Sequence, residues 1–379
     1  MSSVVPYPES RRDVGKRSVA GSATPNRHPD RAGAAAAAGT VNLKTVAARA
    51  RTSPSTVSRV LNGLGDSCRI SQATQDRIRA AAEELGFTPN SVAKSLRLGA
   101  TGMIGLIVPD ISNPFFAAIA RAVSIEAQRR GRSILLYDTR DDVDLETAGL
   151  TAMLNGHVDG LIVIPVGQTC EHLRRFEAAR PPVVLVDRWF ADLALPSVAS
   201  DHRQGAREAV AHLLARGHRR IACVTGLPGT APNDLRLQGV RDALAAHGLE
   251  LDPRLTAGDG FSLESGHRAI RKLLAHGPAF TAVFTFGNLI GVGVLHGLLE
   301  AGRRVPDDVS LVSFDEEASS AVLAVPMSTV RQDDAEIGRL AVDLVCRRIE
   351  DPDATDPASL VVPTTLMPRA SIAACQDRP

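Results

Sequence analysis

From Thr101 onward the chain repeats one texture, in which apolar runs of strand length alternate with longer stretches of helical periodicity. The runs are MIGLIVP, SILLYD, VDGLIVIP, VVLVD, RIACVTG, AVFTF and VSLVSFD. Near-continuous Val/Ile/Leu runs suit strands covered on both faces, and the helices expected over 116–130 and 203–216 supply the crossovers that parallel strands require. The roughly 270 residues of this pattern exceed what one sheet usually needs. The expectation is an α/β core of two doubly wound parallel-sheet lobes with a cleft between them.

The first hundred residues differ in charge as well as pattern. Residues 1–98 hold 15 Lys/Arg against 7 Asp/Glu, a surplus of eight positive charges, while the whole chain is only +1. A basic head on an acidic body suits a nucleic-acid-binding module joined to a separate sensor. Residues 1–39, rich in Arg, Pro, Ser and Ala and without apolar periodicity, read as a disordered tail. No apolar run reaches the length of a membrane span. No apolar stretch follows the N-terminal arginines as in a secretion signal. Cys68, Cys170, Cys223, Cys346 and Cys375 are scattered without a CxxC pair, so neither a disulfide framework nor a zinc finger is expected. A cytoplasmic, reducing location fits.

Residues 40–88 read as three short helices, an all-α helix-turn-helix head. Asn42 caps the first, whose inner face is Leu43, Val46, Ala47 and Ala50. Ser53 caps the second and Pro54 opens it, with Val57, Val60 and Leu61 inward. Ser71 caps the third, with Ile78, Ala81, Ala82 and Leu85 inward, and Gly86 ends it. The second helix then presents Pro54, Ser55, Arg59 and Asn62 outward. Arginine suits guanine O6 and N7, and short hydroxyls and amides suit phosphates or base edges.

The stretch VNLKTVAARARTSPSTVSRVLNG (residues 41–63) resembles the start of the lactose-repressor (LacI/GalR) family. By that resemblance Pro54, Ser55 and Arg59 take base-reading positions, and Asn42, Ser53, Thr56 and Asn62 complete the expected DNA contacts. Ser53 and Thr56 suit capping the helix and holding a phosphate as well as they suit reading sequence. Residues 89–100, including SVAKSLRL, resemble the family's hinge helix. That implies a minor-groove wedge at Leu96, flanked by Arg97 and Ala93, whose unstacking cost is offset by a bent, better-contacted duplex. Two positions depart from the family. Arg51 stands where glycine is frequent, and the loop GLGDSCRI before Ser71 is about three residues longer than usual.

The resemblance continues over 101–372 through motifs such as IGLIVPDISNPFF, PVVLVDR and VPDDVSLVSFD. It implies a periplasmic-binding-protein-like core over 101–379 that dimerises and holds an effector. Lobe one is expected over about 101–200 plus 330–358, and lobe two over about 201–328 plus 359–372. Ligand groups belong at the C-terminal ends of strands. Asp110, Ser112, Asn113, Phe115 and Phe116 follow the first strand, and Asp187, Arg188 and Trp189 follow the fourth. Arg236 follows the loop after RIACVTG, and Asp315 ends VSLVSF. The effector set is therefore Asn113, Phe115, Phe116, Asp187, Trp189, Arg236 and Asp315, each of which could instead serve as a cap, an inter-lobe contact or a core aromatic. Gly287 and Asn288 replace a frequent Asn-Asp pair, His202 stands where Asn is frequent, and Ile164 is expected to give the pocket an apolar wall.

The implied protein is a transcription regulator, a repressor in its simplest form. Its partners are a pseudo-palindromic double-stranded operator, a second copy of the chain, and a sugar-like or nucleoside-like effector, with no membrane partner, metal or cofactor. A free solute-binding protein of the same core fold is the competing reading, and the head argues against it. An enzyme is not expected. GVGVLHG (291–297) lacks the GxGxxG order and reads as a closely packed helix, and no HExxH, GxSxG or phosphate-loop motif occurs. Replacing Leu96 by glycine is expected to abolish operator-specific gel shifts while sparing most binding to random duplex. Equal loss of both would refute the wedge.

Overall fold

The computed structural model describes residues 41–87, 100–155, 158–177, 181–277, 279–352 and 359–375, in a head and a core. The tail 1–39 and the expected hinge contacts Ala93, Leu96 and Arg97 lie outside the described residues. The head holds α1 (Leu43–Arg49), α2 (Pro54–Leu61) and α3 (Gln72–Glu84). Asn42 accepts from the backbone N–H groups of Lys44 and Thr45, and Ser53 accepts from that of Thr56, so both satisfy otherwise unpaired amides. Ser71 takes the N-cap position, but its hydroxyl meets Thr74 Oγ1 at 3.0 Å instead of a backbone amide. The three helices close over Val46, Ala47, Ala50, Val57, Val60, Ile78, Ala81 and Ala82. Leu43, expected inside, is exposed in the first turn of α1.

In the core the helices are α4 (Pro114–Arg129), α5 (Val143–Leu154), α6 (Glu171–Arg174), α7 (His202–Ala215), α8 (Ala231–Ala245), α9 (Leu263–His276), α10 (Asn288–Glu300) and α11 (Asp334–Glu350). The strands are β1 (Met103–Val108), β2 (Ser133–Asp138), β3 (Gly160–Val163), β4 (Val183–Val186), β5 (Ser197–Ser200), β6 (Ile221–Val224), β7 (Thr256–Ala257), β8 (Ala282–Thr285), β9 (Ser310–Phe314), β10 (Ser328–Arg331), β11 (Ser359–Val362) and β12 (Thr365–Met367). Among the described residues they form two six-stranded sheets. Lobe one runs β2-β1-β3-β4-β5-β11 and lobe two β7-β6-β8-β9-β10-β12. The two orders match, and every pairing is parallel except β10 with β12. Each order reverses direction after its first strand, between β1 and β3 and between β6 and β8, and crevices open at such points beyond the carboxyl ends.

All seven apolar runs are strands, and β3, β4, β6, β8 and β9 are buried along their whole length. The lobe boundaries differ from expectation at two strands. Residues 330–331 belong to β10 in lobe two, where Ser328–Val330 pair with Val312–Phe314. Residues 359–362 form β11 in lobe one, paired with Ser197–Ser200. Both are four-residue strands whose place is set by long-range pairing, which their own composition does not encode. The chain consequently crosses between lobes three times, at 201, 332–333 and 363–364. The Asp201 N–H donates to the Val362 carbonyl at 2.8 Å and ties two of these crossings together.

Where the chain enters the core, Asp159 gathers four donors. The Thr101 N–H (2.6 Å), the Thr101 hydroxyl (2.8 Å), the Gly102 N–H (2.9 Å) and Arg132 (2.9 Å) all converge on its carboxylate. Burial works to raise this carboxyl, but the donors outweigh it and hold the group below the usual carboxylate range. A depressed carboxyl contributes stability above its unfolded pKa, and that contribution is lost as pH falls through the folded value. Asp159→Asn is therefore expected to cost about 1–3 kcal/mol near neutrality. The penalty should shrink below about pH 4 in urea titrations; a penalty independent of pH would count against the four-donor account.

Candidate functional site

In the head, Pro54, Ser55 and Arg59 are exposed on one side of α2, while Val57, Ser58 and Val60 are buried on the other. Ser53, Ser55 and Thr56 form a cluster of hydroxyls 2.7–2.8 Å apart at the N-terminus of the helix. Asn62 is the C-cap and folds back, its amide donating to the Ser58 carbonyl at 2.6 Å, so this candidate contact is engaged within the helix. Arg51 sits at φ 50°, with Thr52 N–H bonding to the Ala47 carbonyl and Arg51 N–H to that of Ala48. This is the left-handed helix ending that normally selects glycine, as Gly86 does after α3 at φ 61°. The arginine thus fills a glycine geometry and adds a cation to the turn. The long loop is fastened by buried Gln75, which donates to Asp66 (2.7 Å) and to the Ile70 carbonyl (3.0 Å).

In the core, a cleft of about 310 Å³, partly open to solvent, is lined from lobe one by Asn113, Phe115, Phe116, Asp187 and Arg188. Lobe two contributes Pro232, Arg236, Phe261, Asn288 and Asp315. The first group follows β1 and β4; Pro232 and Arg236 lie on α8 after β6, Phe261 follows β7, Asn288 follows β8 and Asp315 follows β9. These are the carboxyl ends on which the matched topologies converge. Asp187 (φ 63°) and Asp315 (φ 67°) both adopt the left-handed backbone at equivalent strand ends. Aspartate tolerates that region better than most residues, and strain of this sort gathers at binding sites.

Arg236 organises the lobe-two half. Its guanidinium stands 3.7 Å over the Phe314 ring and 3.7 Å from Asp315, donates to the Phe286 carbonyl, and meets His202 Nδ1 at 3.2 Å. Arg188 reaches from lobe one between two aromatic faces, 5.7 Å from Phe116 and 5.4 Å from Phe261, and donates to the Pro165 carbonyl at 3.1 Å. Asn288 donates to Asn113 Oδ1 at 3.2 Å, and Asn113 also caps α4, so one amide joins the lobes. Among protein atoms, Arg188 Nε, Asn233 Oδ1 and Arg236 Nε are buried without a hydrogen-bond partner, while Asp187 Oδ1 and His202 Nε2 face only each other, at 3.5 Å. Such groups are costly unless a ligand or solvent pairs them.

The two carboxylates shift oppositely. Burial works to raise Asp187, but His202, 3.5 Å away, together with Arg236 and Arg188, holds it below the usual range. Asp315 has no imidazole that close; burial raises it despite Arg236 and the Gln332 amide. Burial and the Arg236 charge lower His202, leaving it a neutral imidazole between charged neighbours.

Of the expected effector residues, Asn113, Phe115, Phe116, Asp187, Arg236 and Asp315 line the cleft, and Trp189 does not. Trp189 packs half-buried against the lobe-one core around Leu173 and Leu185. Asp110 is used locally, accepting from the Ser112 N–H and hydroxyl. Ile164 is wholly buried in the lobe-one core and gives the cleft no wall. Sequence reasoning missed Phe261, Pro232 and the bridging role of Asn288. The lone aromatic in the polar loop GDGFS was the available signal for Phe261.

A helix-turn-helix head joined to a two-lobed α/β core with a polar inter-lobe cleft defines a class, that of effector-controlled transcription regulators. Residues 42–90 match the bacterial regulatory proteins of the lacI family, and residues 210–372 match the periplasmic binding protein-like domain. The HTH-type transcriptional regulator CelR of Thermobifida fusca is 34% identical over 87% of this chain and 97% of its own length. A solved CelR–cellobiose complex aligns over 87% of this chain and 99% of its own, at 33% identity and a TM-score of 0.66. The lac repressor dimer bound to operator and the anti-inducer ONPF aligns over 88% and 99%, at 26% identity and a TM-score of 0.78. The chain belongs to the LacI family, which is made of DNA-binding regulators.

The buried imidazole gives the core a pH signature. His202 stays neutral when folded, whereas the unfolded chain takes up a proton near pH 6.5. Its stability contribution is complete above that value and is lost as pH falls towards the lowered folded pKa; His212 and His218 shift the same way. The melting temperature of the core is expected to drop between about pH 7 and 5, and His202→Asn to flatten that slope. An unaltered slope would show that His202 is charged in the folded core.

Proposed function

We propose that this protein is an operator-binding repressor whose DNA affinity is set by a small, uncharged, polyhydroxylated molecule held between the two lobes. The observation that carries the reading is the balanced set of two carboxylates and two guanidiniums, Asp187, Asp315, Arg188 and Arg236, converging with buried unpaired polar atoms on one cleft. Carboxylate and guanidinium groups bind adjacent hydroxyls in pairs, and Phe115, Phe116 and Phe261 offer faces for the apolar side of a ring. Equal numbers of opposite charges favour a neutral sugar over a phosphorylated one. A nucleoside is the second reading, favoured by the facing amides of Asn113 and Asn288, which could read a base edge as amides do in DNA recognition.

On this reading Pro54, Ser55 and Arg59 read bases, the Ser53 and Thr56 hydroxyls hold phosphates, and the 89–100 segment with Leu96 enters the minor groove. Asn62 supports Ser58 instead of contacting a base. Two copies bind a pseudo-palindrome, and the ligand shifts affinity by favouring one lobe arrangement. The core binds without catalysing a reaction, and the protein works in the cytoplasm, where its operator lies. The test is a thermal-shift screen of neutral sugars and nucleosides on the full chain, followed by operator binding with the hit. Arg236→Ala or Asp315→Asn should leave ligand-free operator binding unchanged and weaken the hit roughly 10- to 150-fold, the loss of one charge-assisted hydrogen bond. An unaltered ligand response in both variants would mean that the effector binds elsewhere.

A further inference from the structure

The helices α9 and α10 of lobe two approach more closely than side chains would permit. A Cβ on Gly266 would stand 2.4 Å from the Ile290 carbonyl oxygen, and one on Gly293 would stand 2.0 Å from that of Leu263. The GVGVLHG run thus serves as a backbone contact surface, and its histidine is carried to the neighbouring helix. The rings of His267 on α9 and His296 on α10 lie 4.8 Å apart, stacked within 26°. One helical turn beyond His296, Glu300 presents its two oxygens to both imidazoles, 2.7 Å from His267 Nε2 and 3.4 Å from His296 Nε2.

We propose that His267, His296 and Glu300 form a binding site for a divalent transition-metal ion of the zinc type. The three ligand atoms lie within 4.8 Å of one another. Tetrahedral zinc at about 2.0–2.1 Å from each ligand requires donors about 3.3–3.4 Å apart, so small side-chain rotations complete the geometry. Two imidazoles and one carboxylate select zinc, copper or nickel over magnesium and calcium, which prefer sets made of oxygen alone. His296 and Glu300 are about half exposed, leaving a coordination position open to water. Arg271 adds an opposing charge near Glu300 and makes this a weak, exchangeable site. None of the three residues lines the cleft, but both helices start there. Asn288 is the first residue of α10, and Phe261 precedes α9 by two. An ion clamping the two helices would stiffen the lobe-two wall of the cleft.

The experiment is calorimetric titration of the untagged full chain with zinc chloride, with magnesium chloride as control. Cys68, exposed, and Cys375, half-buried, are replaced by serine to remove competing thiols. The expected result is one zinc per chain, a raised melting temperature reversed by EDTA, and no response to magnesium. His296→Ala and Glu300→Gln, both on the surface, should each weaken zinc at least tenfold while keeping the melting temperature measured in EDTA. No zinc binding, or binding of unchanged affinity in the His267→Ala/His296→Ala double variant, would overturn the proposal. A sugar or nucleoside response in the same variants reports separately on the cleft.

Discussion

The burial of Arg236 is the constraint around which the core is arranged. A guanidinium removed from water destabilises a fold by several kcal/mol unless charge and hydrogen bonds replace its hydration. Here the replacements come from four places: the Phe286 carbonyl after β8, the Asp315 carboxylate after β9, the Phe314 ring at the end of β9, and His202 at the start of α7. Strand exits far apart in sequence must therefore meet at one point, and the parallel order β6-β8-β9 brings them there. Through His202 the same cation is linked to Asp187 of the other lobe. Two side-chain contacts thus span the inter-lobe boundary without any long relay.

How much of this was legible in the sequence follows the range of the forces involved. The long apolar runs announced their strands because burial on both faces leaves a compositional trace. The strands β5 (SVAS), β7 (TA), β10 (STVR), β11 (SLVV) and β12 (TLM) left little trace, being short, partly polar and placed by pairing with distant segments. For that reason the lobe boundaries at 330–331 and 359–362 were misplaced while the lobes themselves were foreseen. In the head, caps and inner faces are local, and nearly all were readable. Leu43 was not, because a first-turn residue of a seven-residue helix has too few neighbours to bury it.

The cleft shows the same division. Asp187 and Asp315 were placed on the cleft because each directly follows a strand, where crevices form, whereas Arg236, on α8 beyond the loop after β6, was placed there by its motif. Trp189, three residues after β4, was misread, since its indole packs on a hydrophobic surface in its own lobe. Phe261 comes from a loop after a two-residue strand, where nothing periodic marks direction, and its ring is placed partly by the missing side chain of Gly226, whose Cβ would lie 2.2 Å from it.

The matched left-handed aspartates bear on how the two lobes act as one sensor. Asp187 and Asp315 occupy equivalent strand ends with nearly equal φ, yet their carboxyls shift in opposite senses. The asymmetry arises because His202 lies 3.5 Å from Asp187 and favours its charge, whereas Asp315 is raised by burial and by the Asp187 charge itself. Asp187 is thereby favoured as an anion and an acceptor, while burial works against the charge on Asp315. A hydroxyl-bearing guest donating to Asp315 would restore its lost hydration and strengthen its pairing with Arg236. Binding and lobe closure then draw on one interaction, and the Asn113–Asn288 bond, made only when the lobes meet, adds to it instead of competing.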